Sequence, residues 1–306
     1  MKKILLFIAT EKGFEALKKL YKYDKKIIGL VSSFQEEYVK EEFYYKIEEF
    51  CNEKQISFKG YNKEFKQNLE SILKAFNITE AVAISWRYFI PLKINKLLET
   101  KLIIFHDSLL PKYRGFCPTP TAIICGEKEI GISVFFATNE IDKGEIILQK
   151  KIKIDTNLYI KDIILKQSKL YSEAMIELIE MIKRGSIRSE LQDETKATYS
   201  IWRNPEDCQI DWNLSSFEIY NLIRAVSFPY TGAFTYYEGE KAYILKSEIV
   251  KDIKFQKRDS GKIWKIDKKM PIVVCGKGMI KLIKVKDKDE NEISFNFIRR
   301  RFNNKW

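Results

Sequence analysis

A single histidine stands between an apolar run and a turn rich in proline, arginine and glycine. The stretch reads IIFHDSLLPKYRGFCP over residues 103–118, and His106 is the only histidine among 306 residues. Imidazole is the side chain best suited to proton transfer near neutral pH. His106 is therefore a candidate proton-transfer group, and a histidine at a strand end with no chemical role is the alternative.

Other common chemistries lack their residues in this sequence. The five cysteines are scattered without a CxxC pair, and one histidine cannot complete a zinc cluster with them, so we expect reduced thiols and a cytoplasmic protein. The first predicted strand–helix turn, ATEKGFE, lacks the GxGxxG pattern of dinucleotide sites. GKGM at residues 276–279 lacks the Walker spacing, and no GxSxG is present.

The chain carries a formal net charge of +12. A basic protein attracts anions such as nucleic acid, nucleotide phosphates or polycarboxylates. The alternative is a lysine-rich composition with solvated lysines on every face. The longest apolar runs are too short to span a membrane, so no membrane association is expected.

Strands and helices alternate through the first half of the chain. The apolar runs at 81–85 and 102–105 suit strands covered on both faces, as in a parallel sheet. The alternation predicts a doubly wound, mostly parallel α/β sheet, whose ligands bind beyond the carboxyl ends of the strands. The other expected strands cover residues 5–9, 26–33, 56–61, 131–137 and 145–154, and the expected helices cover residues 14–21, 41–53, 66–76 and 160–183.

The second half has a different pattern. The sequence turns polar before residue 204, which predicts a catalytic domain at 1–190, a linker at 191–204 and a second domain at 205–306. A helix at 216–226 is followed by serial short strands, which suggest a small C-terminal β barrel. These strands are expected at residues 232–237, 241–246, 261–266, 271–275 and 279–285.

FHDSLLPKYRG followed by EIDKG resembles the folate-dependent formyltransferases, which use 10-formyltetrahydrofolate. RNPEDCQIDW and NLIRAVSFPYTGAFTYYEGEK resemble the segment that opens their second domain, so the resemblance covers nearly the whole chain. ISWRYFIP at 84–91 resembles the nucleotide-sugar N-formyltransferases more than methionyl-tRNA formyltransferase. The resemblance implies a Rossmann-like catalytic domain and a smaller OB-like barrel.

The resemblance also implies a mechanism. A neutral amine attacks the formyl carbon of the folate, a tetrahedral oxyanion forms, and the amine loses a proton. His106 then serves as the general base or as an oxyanion stabiliser, and Asp142 of the EIDKG turn holds and orients the histidine. No metal is implied.

Further site residues follow from the same resemblance. Arg114 pairing with an acid, Trp86 in the core, and a hinge role near residue 204 are the structural alternatives. The implied folate-binding residues are Ser85, Trp86, Arg87, Tyr88, Leu110 and Ile141. The implied substrate-binding residues are Ser108, Arg114, Gly115, Arg203, Asn204 and Tyr230.

One position departs from the family pattern. The family has asparagine two residues before the histidine, where its amide donates to the developing oxyanion, and this chain has Ile104. Removing such a donor costs about a hundred- to a thousandfold in rate in other enzymes. Asn139 or a backbone N–H after the histidine could replace the donor, and loss of catalysis is the other outcome.

The expected function is transfer of a formyl group from 10-formyltetrahydrofolate to the amine of a UDP- or dTDP-linked amino sugar. The first alternative is a methionyl-tRNA formyltransferase, because the net charge of +12 and the barrel allow RNA binding. The second is a non-catalytic protein that binds folate or a nucleotide sugar. The sequence leaves open whether the chain forms a homodimer.

Overall fold

The computed structural model describes residues 2–35 and 42–303 of the chain. They fold into two compact units, each described by itself below. The first unit comprises residues up to Pro118, Glu129–Ile154 and Ile163–Ser200, and the second comprises Thr119–Lys128, Asp155–Asp162 and the residues from Ile201 onward. Residues 191–200, which the sequence assigned to a linker, are thus part of the first unit.

The elements follow one another in strand–helix alternation through the first unit. The strands are β1 (Ile4–Ile8), β2 (Ile28–Ser33), β3 (Phe58–Gly60), β4 (Glu80–Ile84), β5 (Ile103–His106), β6 (Arg114–Gly115), β7 (Glu129–Phe136), β8 (Ile146–Lys153) and β9 (Tyr199–Ser200). The α-helices formed by the described residues of both units are α1 (Thr10–Asp24), α2 (Tyr44–Glu53), α3 (Lys63–Gln67), α4 (Leu69–Ala75), α5 (Pro118–Ile124), α6 (Ile160–Arg184) and α7 (Ser216–Val226).

Seven strands form the main sheet in the order β3-β2-β1-β4-β5-β7-β8. The strands from β3 to β5 pair in parallel, whereas β7 runs antiparallel to both of its neighbours. All five residues of β1 are buried, because helices cover both faces of the sheet. The prediction of a doubly wound, mostly parallel sheet is confirmed.

The clearest differences from the predicted element bounds are in three helices. The first helix begins at Thr10 rather than at residue 14. The helix expected at 66–76 is divided at Asn68 into α3 and α4, and Asn62 caps the first piece by accepting from Phe65 N at 2.8 Å. The helix expected at 41–53 begins at Tyr44, and residue 41 lies outside the described residues.

The second unit holds an antiparallel sheet that curls toward closure. A bridge between Lys262 and Arg301 joins its two edges, so the expected barrel-like domain is confirmed. The helix α7 begins with a capping box between Ser215 and Glu218. The strands, in sheet order, are β12 (Ile263–Asp267), β13 (Met270–Val274), β14 (Met279–Lys286), β11 (Glu240–Val250), β10 (Ala233–Tyr237) and β15 (Phe302–Asn303).

Candidate functional site

His106 is the last residue of β5, at the carboxyl edge of the main sheet. Its side chain is buried, and Nε2 lies 2.8 Å from the carbonyl oxygen of Tyr113 in the histidine loop, as residues 107–115 are called here. Because a carbonyl only accepts, Nε2 carries a hydrogen. Nδ1 faces Asp142 Oδ2 at 3.5 Å. Nδ1 is therefore the nitrogen that can take up and release a proton.

Asp142 lies between β7 and β8 in a turn of residues 139–144, called the Asp142 turn. Its φ is +50°, and its Oδ2 accepts a hydrogen bond from Gly115 N at 2.7 Å. Gly115 itself has a φ of +98°, and an added Cβ would lie 2.5 Å from Ser200 O. This glycine is thus required for the backbone approach that holds the carboxylate against the imidazole ring.

The start of the histidine loop is fixed by hydrogen bonds to β7 and β8. Ser108, a predicted substrate residue, donates its hydroxyl hydrogen to Lys112 O at 2.6 Å. Ser133 Oγ donates to Ser108 O at 2.7 Å and accepts from Leu110 N at 2.9 Å. Gln149 Nε2 donates to Leu110 O at 2.9 Å. The strands thus set the position of the loop, and a substrate role for Ser108 stays a prediction.

Asp107, whose side chain is 20% exposed, belongs to a largely buried ionic cluster that the sequence did not reveal. Its carboxylate accepts from Lys12 Nζ on α1 and from the Tyr171 hydroxyl on α6, each at 2.5 Å. Burial alone would raise the pKa of Asp107, but the Lys12 charge and the two hydrogen bonds hold that pKa below its ordinary value. Burial, together with the Asp107 charge, raises the pKa of Tyr171 well above its ordinary value.

The end of the histidine loop is covered by the strap, as residues 189–200 are called here. The strap pairs its strand β9 with β6, and Glu190 exchanges backbone hydrogen bonds with Ile146 at 2.8 Å. Arg114 is fully buried, and its guanidinium donates to both carboxylate oxygens of Glu194 at 2.8 and 3.0 Å. The hydrogen bonds that Arg114 donates to the Glu194 carboxylate raise the pKa of Arg114 despite its burial. Arg114 thus pairs with an acid.

The predicted folate segment lies beside the histidine. The parallel register of β4 and β5 pairs Ile84 with Phe105, which places Ser85 level with His106. Trp86 packs edge-on against aromatic rings, and its buried Nε1 has no hydrogen-bond partner among the described residues. Tyr88 and Ile141 are exposed, Leu110 is buried, and Arg87 is half-buried.

Ile104 lies in β5 in register with Ala83 and Phe135, so the strand alignment at this position is regular. Its half-buried side chain packs against the apolar cluster on one face of the sheet. Asn139, the suggested replacement donor, is exposed in the Asp142 turn. Neither residue carries an observed contact with the histidine ring, so the identity of the oxyanion donor stays a prediction.

Three predicted substrate residues lie in the second unit. Arg203 Nη1 donates to Asp207 O at 3.0 Å, and Asn204 forms a capping box with Asp207 over residues 205–208. Tyr230 donates its backbone N–H to Ser227 O at 3.0 Å. Their roles in binding a substrate stay predictions.

Residues 2–35 and 42–303 contain neither a metal-binding cluster nor a membrane-spanning helix. No group of three or more His, Cys, Asp or Glu side chains there is arranged to hold a metal ion. No helix within these same ranges is long and apolar enough to cross a bilayer. What the arrangement does offer is an imidazole with an adjacent carboxylate at a sheet edge, which is suited to moving one proton.

Comparison with known families matches nearly the whole chain. Residues 2–179 match the family described as "Formyl transferase", and residues 203–302 match "Formyl transferase, C-terminal domain". The methionyl-tRNA formyltransferase of Caldanaerobacter subterraneus subsp. tengcongensis is 32% identical over 232 residues, which are 76% of this chain and 72% of that protein.

Solved structures share the fold at lower identity. WlaRD, a sugar 3N-formyl transferase solved in the presence of dTDP and 5-N-formyl-THF, gives a TM-score of 0.68 at 21% identity and covers 93% of this chain and 99% of its own. HypX from Aquifex aeolicus in complex with tetrahydrofolic acid gives a TM-score of 0.63 at 14% identity. That likeness covers 96% of this chain, which spans about half the length of HypX (45%).

Proposed function

Because the chain belongs to the formyl transferase family, we propose that it transfers a formyl group from 10-formyltetrahydrofolate to the amine of a nucleotide-linked amino sugar. The observation that carries the transfer step is the placement of His106 Nδ1 3.5 Å from the Asp142 carboxylate. A neutral amine can lose its proton to this nitrogen, and the carboxylate then faces the resulting imidazolium.

The proposed reaction runs through a tetrahedral intermediate. The amine nitrogen forms a bond to the formyl carbon, whose oxygen becomes an oxyanion, and the amine proton moves to His106 Nδ1. The bond from that carbon to N10 of the folate then breaks, and N10 takes the proton. The products are a formamide and tetrahydrofolate, and His106 returns to its neutral form.

The residues beside His106 fit a folate. Trp86 presents aromatic surface and a buried Nε1 donor without a partner among the described residues. A pterin has both a flat ring for such contacts and heteroatoms that accept hydrogen bonds. Tyr88, exposed and edge-on to Phe34 at 4.6 Å, offers further ring surface.

Support for a nucleotide-sugar acceptor comes from the extent of the structural likeness. WlaRD, whose description names it a sugar 3N-formyl transferase, is matched over 99% of its length. The net charge of +12 suits an acceptor that carries a diphosphate. The segment ISWRYFIP provides the sequence argument for the same acceptor.

A second acceptor is supported by a different observation. The relative that is 32% identical is named a methionyl-tRNA formyltransferase, so charged initiator tRNA is the alternative substrate. Binding to tRNA would neutralise several phosphates and would weaken steeply as the salt concentration rises. A nucleotide sugar, with two phosphates at most, would show a much shallower dependence.

The test is a formyl-transfer assay with 10-formyltetrahydrofolate and a panel of acceptors. The panel contains dTDP- and UDP-linked amino sugars and methionyl initiator tRNA, and product is detected by mass. Formylation of an amino sugar supports the proposal. Formylation of tRNA alone overturns the acceptor, and no transfer to any acceptor overturns the enzymatic function.

A further inference from the structure

The strap forms contacts with other segments of the first unit. It contacts both segments that present the proton-transfer pair: the histidine loop through β9 and the Asp142 turn through Gln192. Gln192 lies in a polar stretch that contains no recognisable motif.

All hydrogen-bonding groups of the Gln192 amide are used. Nε2 donates one hydrogen to Asp142 O at 2.8 Å and the other to Gly144 O at 2.7 Å. Oε1 accepts from Arg114 Nη2 at 2.8 Å and from Arg114 Nε at 3.1 Å. A side-chain amide has two donors and two acceptor sites, so this one is saturated. Gln192 thus links the two ends of the site through a single planar group.

The groups that hydrogen-bond to Gln192 have little conformational freedom. Arg114 is fully buried and is also held by Glu194, so the guanidinium is a fixed anchor for Oε1. On the other side, an added Cβ at Gly144 would lie 1.6 Å from Phe136 O, so the turn closes tightly against β7. The amide therefore joins a rigid anchor to a backbone segment in a left-handed conformation at Asp142.

We infer that Gln192 is a positioning residue for the reaction, which holds the Asp142 carboxylate at its distance from His106 Nδ1. The inference rests on the proposed function, because it assigns a task within formyl transfer. Gln192 contacts neither the imidazole nor the carboxylate atoms; it fixes the carbonyls on either side of Lys143. Misplacing a reacting group by about 1 Å can cost on the order of a hundredfold in rate.

Gln192→Glu tests this assignment with minimal change of shape. The glutamate keeps the contact with Arg114 but loses both donors, so the Asp142 and Gly144 carbonyls lose their partner. Ser189→Ala is the matched control, since it removes another strap hydrogen bond, the one to Glu145 Oε2 at 2.6 Å, and leaves the amide untouched. Gln192→Met, of similar length, replaces Gln192→Glu if that variant does not fold.

The kinetic result expected is a fall in kcat of about 10- to 100-fold for Gln192→Glu, with KM for the folate within about threefold of wild type. In an Asp142→Asn background the same substitution should change kcat by less than about twofold, because Gln192 acts through Asp142. Ser189→Ala should stay close to wild type. Equal losses of kcat in both backgrounds would overturn the inference.

A second readout needs no substrate. His106 is the only histidine, so one pair of imidazole ¹⁵N signals reports the ring directly. Gln192→Glu should shift these signals in the same direction as Asp142→Asn, whereas Ser189→Ala should not. Unchanged signals in Gln192→Glu would overturn the inference. A protein that formylates no acceptor refutes the proposed function, and the ring signals alone then decide the role of Gln192.

Discussion

His106 and Asp107 are consecutive in the chain, yet their side chains enter two different polar environments. The imidazole forms a hydrogen bond with a backbone carbonyl, and its other nitrogen lies 3.5 Å from the Asp142 carboxylate. The Asp107 carboxylate has short contacts to Lys12 and Tyr171, one on each oxygen. The loose pair can exchange a proton, whereas the tight cluster keeps its charges fixed and anchors the loop.

This difference shows how one strand end can serve two purposes. A group that must gain and lose a proton requires a partner that tolerates both states of charge. A group that must hold the loop instead requires partners that keep its charge compensated, because a buried charge without a partner is strongly destabilising. Alternation of side chains along the backbone sends the two neighbours to opposite faces, which keeps the two tasks separate.

The strongest test of the comparison is His106→Asn. We expect kcat to fall by about 10²- to 10⁴-fold, because a positioned general base typically accelerates a reaction by that factor. Folate affinity and the free energy of unfolding should stay near their wild-type values. Single-turnover formyl transfer and thermal unfolding measure the two quantities. A variant that retains more than about a tenth of the wild-type rate would contradict the role in proton transfer.

Asp107→Asn should give the opposite pattern, with stability as the main loss. Removing one partner of a buried ion pair costs about 3–5 kcal/mol, because Lys12 would stay buried without a counter-charge. Urea unfolding measures this cost. The matched control is Glu70→Gln, which removes an exposed pair with Lys93 at 2.8 Å and should cost far less, because water screens an exposed ion pair. Equal losses in the free energy of unfolding for the two variants would show that Asp107 does not anchor the loop.

The stabilising effect of Asp107 should depend on pH in a defined direction. Its pKa is lowered in the folded protein, so its contribution is fully present above the unfolded value of about 3.9 and is lost as the pH falls through the folded value. The stability difference between wild type and Asp107→Asn should thus be constant from about pH 7 to 5 and shrink below about pH 4. A difference that shrinks on raising the pH instead would contradict the assignment.

The smallest effect is expected from Ile104→Asn, on the face that carries His106. If another group now donates to the oxyanion, the new amide should not raise the rate, and burying it without a partner should cost about 1–3 kcal/mol. Ile104→Val is the control for packing alone. Single-turnover rates of the wild type, Ile104→Asn and Ile104→Val with amino-sugar acceptors show whether the new amide raises the rate. An inert wild type that Ile104→Asn makes active would show that the chain has lost its donor.

The sequence predicted the parts of the fold that have a strong local pattern. Apolar runs such as that of β5 identified the parallel strands, and the single histidine pointed to the place of the proposed site, whose residue roles stay predictions. The division of the helix at Asn68 was missed because the apolar spacing continues across it. β6 and β9 have only two residues each, too short for any period to appear.

The strap and the ionic cluster could not be predicted from the sequence for another reason. Lys12 and Asp107 are 95 positions apart in the chain, and neither local sequence contains a pattern that predicts their contact. Gln192 and Glu194 lie in a polar stretch that has the composition of a linker. Only the folded backbone, which brings β9 against β6, shows that this stretch completes the first unit.

The position of the strap also bears on how such chains can be recombined. Its residues, 189–200, fall between the two segments that match family models, which end at 179 and resume at 203. A chimera joined just after α6 would keep His106 and Asp142 from one parent and take Gln192 from the other. The incoming parent would then control the geometry of a proton-transfer pair to which it contributes no reacting atom. Exchange of C-terminal modules in this family should therefore be joined after Ser200 to preserve turnover.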